Sequence, residues 1–133
     1  FELNVICVLG QPCIITLAGV DLASSDKLAV VSEPVCGKAS PTLVAFTNLL
    51  DANPVAPEAA TSSTISSYNL GPGASTAIGG VPQLARLCWA SMPTDLSDFK
   101  TDLGTLTMQG PNQDVSAECR LCIYCSVTVT GLG

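Results

Sequence analysis

Seven cysteines and a small group of aspartates are the residues in this chain whose types and spacing invite chemistry. The cysteines are Cys7, Cys13, Cys36, Cys88, Cys119, Cys122 and Cys125. Such residues form disulfides in an oxidising setting, and hold metal or do catalysis in a reducing one. Cys7 and Cys13 flank a Gly-Gln-Pro turn, so a hairpin can bring them together. Cys119 and Cys125 repeat that separation and are expected to pair in the same way. Cys36 and Cys88 are then expected to pair across the sheets, with Cys88-Trp89 on an apolar strand as in a core-spanning bridge. A bridge of this kind contributes about 2–4 kcal/mol. Cys122 is left over, either for an intermolecular bond or as a buried thiol. The competing reading is an iron–sulfur or metal site on Cys119-x2-Cys122-x2-Cys125. It lacks a fourth thiolate at the usual distance, and the segment alternates like a strand, which points its cysteines to mixed faces. No cofactor is expected.

The chain has no histidine, which excludes Ser-His-Asp and Cys-His machinery. It has no phosphate loop and no dinucleotide fingerprint. Asp95, Asp98 and Asp102 stand close in sequence, with Lys100 among them. A paired-acid hydrolase needs acids across a cleft, and a Ca²⁺ site needs several oxygens converging on one point. This spacing matches neither pattern, so a capped surface turn is expected, with a Ca²⁺ site at a domain junction as the alternative. An enzyme is not expected. Trp89 reads as a core residue, whereas Tyr68 and Tyr124 could be exposed.

The elements that must position these residues are strands. Residues 2–9, 13–18, 27–31, 42–47, 84–89, 105–108 and 123–130 are apolar, β-branched or alternating. Glycine and proline breakers at Gly10-Gln11-Pro12, Gly37, Gly71-Pro72-Gly73, Gly79-Gly80 and Gly110-Pro111 separate them. Seven to nine short strands are expected, as in a sandwich or barrel. Helix signals are confined to one turn over 22–26 and another over 94–100, with Thr94 or Asp95 as the N-cap. Residues 48–77 hold Pro54, Pro57 and Pro72, no cysteine and few large apolar side chains. They read as a long surface loop with one weak strand. Thr61, Ser62, Ser63, Thr64, Ser66 and Ser67 there offer hydroxyls for O-glycosylation, and there is no Asn-x-Ser/Thr sequon in the chain.

Only 12% of the residues are charged, about half the usual share for a soluble domain. A surface of Ser, Thr, Gly, Asn and Ala suits burial by neighbours or a coat of sugar. The net charge is −6, and the five cations are scattered, which argues against nucleic acid and anionic membranes as partners. No apolar run approaches the roughly 18–20 residues of a membrane span. Cysteine-rich and without histidine, the chain is expected outside the cell or on its surface.

The two ends of the chain match. Cys7, Leu9, Cys13, Thr16 and Gly19 align with Cys119, Leu121, Cys125, Thr128 and Gly131 at a constant offset of 112. Ile15 and Leu17 align with Val127 and Val129. Repetition at a fixed period is a mark of deliberate architecture. Residues 1–111 then form one β-sandwich unit, and residues 112–133 either open a second unit or supply a strand pair to another subunit.

The pattern Cys7-x-Leu9-Gly10-x-Pro12-Cys13, Thr16-Leu17-x-Gly19, Leu22, Cys36-Gly37, Tyr68-Asn69-Leu70-Gly71, Leu87-Cys88-Trp89, Asp98-Phe99, Leu103-Gly104-x-Leu106 and Gly110-Pro111 covers most of the chain. It resembles the repeat unit of large multi-domain surface proteins of protists. Cys122 departs from it, standing where the first copy has Gly10. The resemblance implies immunoglobulin-like or IPT-like sandwiches strung end to end, with structural or adhesive roles and no catalytic residues to carry over. The expectation is therefore an all-β, disulfide-stabilised, immunoglobulin-like antiparallel β-sandwich. Its role would be that of a protomer or repeat in an extracellular filament, appendage or surface coat. Its partners would be copies of itself or neighbouring repeats. An adhesive module that binds glycans or a Ca²⁺-dependent ligand is the alternative.

Overall fold

The computed structural model describes residues 2–44, 53–58, 62–72, 84–111, 119–121, 124–129 and 131–132. It is all-β, with two sheets and three disulfides. The strands are β1 (Leu3–Val8), β2 (Pro12–Ala18), β3 (Lys27–Val31), β4 (Ile65–Pro72), β5 (Leu84–Ala90), β6 (Thr101–Pro111) and β7 (Gly131–Leu132). The larger sheet has the order β1-β6-β5-β3, with β7 on the end of β6, and the smaller sheet is β2-β4.

Period-2 alternation sets which side chains meet between the sheets. Cys7 on β1, Cys13, Ile15 and Leu17 on β2, and Leu28 and Val30 on β3 point inward. They meet Tyr68 and Leu70 from β4, Ala85 and Leu87 from β5, and Leu106 and Met108 from β6. The intervening residues Asn4, Ile6, Ile14 and Thr16 face outward. Burying each large apolar side chain stabilises the fold by about 1.5–3 kcal/mol. A second, smaller cluster lies on the opposite face of the larger sheet. Ala29 and Val31 of β3, Cys88 and Ala90 of β5, and Phe99 form it, with Cys36, Leu43 and Leu96 packed against them.

Sheet pairing is not wholly antiparallel as the sequence suggested. β1 runs parallel to β6, from Leu3 opposite Gly104 to Val8 opposite Gln109. The turn after β1 carries the chain into the other sheet, so no hairpin ties β1 to β6. Nearly the whole unit then serves as the crossover that parallel strands require.

Three element expectations also change. Residues 48–77 contain β4, a full core strand that carries the buried Tyr68 and Leu70, rather than a surface loop with a weak strand. The Ser/Thr composition hid it, because only alternate residues face inward. Of the strand expected over 42–47, residues 42–44 make a single bridge, Leu43 opposite Val31, and residues 45–47 lie outside the described set. Of residues 123–130, the described stretch 124–129 has the alternation of a strand but no strand pairing, and only β7 beyond it is paired, with Gly110 and Pro111. The turn at 94–100 is as expected: Leu96–Asp98 forms one 3-10 turn with Asp95 as N-cap.

Candidate functional site

Three disulfides join the expected pairs, Cys7–Cys13, Cys36–Cys88 and Cys119–Cys125. Their placement is more informative than their pairing. Cys7 is the second-last residue of β1 in one sheet and Cys13 the second residue of β2 in the other, so this short bridge ties the two sheets together where the chain crosses. Cys36–Cys88 does not span the core. Cys88 belongs to the outer cluster, and Cys36 sits in the segment after β3 that covers it. The reason is alternation along β5: Ala85 and Leu87 face the core, so Cys88 and Ala90 fall on the opposite face. The bridge fastens the 32–44 segment onto the outside of the larger sheet. Cys119–Cys125 closes an exposed loop beyond β6, and Cys122 lies outside the described residues.

The aspartates do not converge. Asp95 and Asp98 form a capping box around the 3-10 turn. The Asp98 carboxylate accepts from the Thr94 and Asp95 backbone N–H groups at 2.8 and 3.1 Å, and from the Thr94 hydroxyl at 3.0 Å. Those bonds, the Thr94 backbone first, hold its carboxyl below the usual carboxylate range. Asp102 faces elsewhere, 3.4 Å from Arg86, which also reaches Glu2 at 3.0 Å. Among the described residues no three His, Cys, Asp or Glu side chains are placed to hold a metal ion.

The aromatic side chains divide otherwise than expected. Tyr68 is fully buried, not exposed, because it lies on the inward face of β4. Its phenol accepts the Trp89 indole N–H at 3.1 Å. Burial pushes the Tyr68 phenol above its ordinary pKa, the Trp89 donor pulls it back, and the nearby Asp26 charge raises it. Asp26 is itself buried, and accepts from the Ala23 N–H at 2.8 Å and the Ser91 hydroxyl at 2.9 Å. It pins the turn before β3, a role that an acid just ahead of a strand gave little sign of. Tyr124 and Leu121 are fully exposed, and Val127 and Val129 are more than half exposed.

In the Ser/Thr run, Ser62 and Thr64 are exposed and share a hydroxyl–hydroxyl contact of 3.2 Å at a turn. Ser63 is exposed, and Ser67 is half-buried with its hydroxyl 3.3 Å from that of Thr16. Ser66 is fully buried on the inner face of β4, so its hydroxyl is closed to a glycan in the folded chain. Thr61 lies outside the described residues.

Sequence reasoning missed two features. Asn53 stands in for a strand: its side-chain oxygen accepts the Val30 N–H at 3.1 Å, and its amide donates to the carbonyls of Val30 and Val44 at 2.8 and 3.0 Å. The other is an apolar groove of about 480 Å³ lined by residues of both sheets. Leu3, Trp89, Thr101 and Leu103 line it from the larger sheet, and residues 16–20 of the β2 end line it from the smaller one, with Leu22 at its rim. The apolar residues read as core or loop one by one, and only the sheet order shows that they flank an opening.

No helix among the described residues is long and apolar enough to cross a membrane, and the three disulfides suit an oxidising, extracellular environment. Scans against family models, curated proteins and solved structures give no significant match to this chain.

Proposed function

We propose that the chain is an immunoglobulin-like sandwich that serves as a protomer or repeat of an extracellular filament, appendage or surface coat. The sheet order supports the immunoglobulin-like reading: a first strand parallel to the last long strand, then β5 and β3, faced by a β2-β4 pair. One observation carries the structural role. Beyond β6 the chain forms a second disulfide loop with the same separation of six as the first, and in that loop and just after it Leu121, Tyr124, Val127 and Val129 are exposed. A free monomer gains nothing from Leu121, Tyr124, Val127 and Val129 in solvent, whereas a unit that meets a neighbour covers them. The outward strand faces agree, since Ile6, Val8, Ile14, Ile65 and Leu84 are about half exposed or more.

The test is negative-stain electron microscopy of the native material, with and without reductant. Regular filaments or arrays are expected in the absence of reductant. Dispersed small particles in both conditions would count against the structural role and favour a ligand-binding module.

A further inference from the structure

The groove and the exposed segment 124–129 are complementary. The groove is bounded on one side by β2, whose edge away from β4 has no strand partner among the described residues. An open edge with unpaired N–H and C=O groups is a template for an added strand, and an apolar trough beside it receives alternate side chains. Segment 124–129 has what such a trough needs. It has no strand partner among the described residues, and its sequence alternates Ser126, Val127, Thr128, Val129. Val127 and Val129 fall on one face and are more than half exposed. The segment carries no charge, so no ionic group would be desolvated by docking.

The two features lie at opposite ends of β6. The groove is at Thr101 and Leu103, whereas the segment is tethered by β7 to Gly110 and Pro111. Eight residues of strand separate these points, about 25 Å. The segment is therefore badly placed for the groove of its own chain and well placed for that of another. We propose that residues 124–129 of one copy add as a strand to the free edge of β2 in the next copy, seating Val127 and Val129 in the groove. Donor and acceptor are different surfaces, so the contact is head-to-tail and leads to an open chain of units rather than a closed pair. This inference rests on the structural-protomer reading and names its junction.

The test uses two full-length variants. Val127→Lys with Val129→Lys spoils the donor, and Ala18→Asp with Val20→Asp spoils the acceptor. All four side chains are exposed, so circular dichroism should show both variants folded. Sedimentation of wild type is expected to show a concentration-dependent series of species, and each variant alone is expected to be monomeric. A mixture of the two variants is expected to stop at dimers, because each pair retains one intact junction and no more. A synthetic peptide of residues 124–130 should bind the donor variant at least about tenfold more tightly than the acceptor variant. Variants that assemble like wild type would overturn the strand-addition junction. So would a wild type that neither self-associates nor binds the peptide. The electron micrographs judge the protomer role separately: filaments that survive both substitutions leave that role standing and move its junction elsewhere.

Discussion

Gly104 decides whether β1 can lie against β6. Its φ is +129°, and a Cβ there would clash with the Leu3 backbone, its carbonyl oxygen first. No shift of a flexible side chain relieves that clash, because the obstacle is backbone. Gly104→Ala should therefore cost at least ~3 kcal/mol and lower Tm by roughly 10 °C, with β1 detached first. Thermal melts give the cost, and hydrogen exchange at Val5 and Cys7 locates the loss. A variant as stable as wild type would mean that β1 does not pair as described. Other residues at this scale were only partly legible. The spacing of Asp95 and Asp98 announced a cap, since capping depends on local sequence. The fates of Tyr68, Ser66 and Asp26 depend on which face of a strand meets the other sheet, and local sequence does not say.

At the scale of elements, the disulfides divide into two short ties and one long one. Cys7–Cys13 and Cys119–Cys125 each close a loop of six residues, and Cys36–Cys88 closes one of 52. Loop entropy in the unfolded chain then favours the long bridge, about 4 kcal/mol against about 2 kcal/mol for each short one. Replacing Cys36 and Cys88 together should lower the urea midpoint about twice as far as replacing Cys7 and Cys13. It should also expose the 32–44 segment to protease, because the bridge fastens that segment to the outside of the sheet. A larger loss from the Cys7 and Cys13 pair would show that sheet-to-sheet fastening outweighs chain entropy. The pairing was readable from spacing and from the repeat. The face was not, because local sequence does not say which side of β5 meets the other sheet. Likewise β4 was obscured by Ser66, Ser67 and Asn69, polar residues that a half-buried strand accommodates.

For the whole molecule, the all-β class was plain from β-branched runs separated by turns. The parallel β1–β6 pair was not, since strand direction is a property of topology. The groove was also hidden, because it exists only between two sheets whose order the sequence does not state. With its terminal repeat, the sequence reads as one unit and the opening strands of a second, and beyond β6 only β7 is paired among the described residues. On the proposed junction, the exposed arm and the open β2 edge give the molecule a polarity: a copy would offer one surface and accept the other.

The parallel alignment of β1 and β6 has a mechanical consequence. β1 leads in from the start of the unit and β6 leads out of it, and the two run side by side over six residue pairs. A pull on the two ends in opposite directions would slide β1 along β6 rather than peel it away. All the hydrogen bonds of that pair then bear the load together and must fail nearly at once. An antiparallel terminal pair pulled in the same way would unzip one bond at a time under a smaller force. In single-molecule stretching from its two ends, the unit should yield in one high-force step, and Gly104→Ala should lower that force.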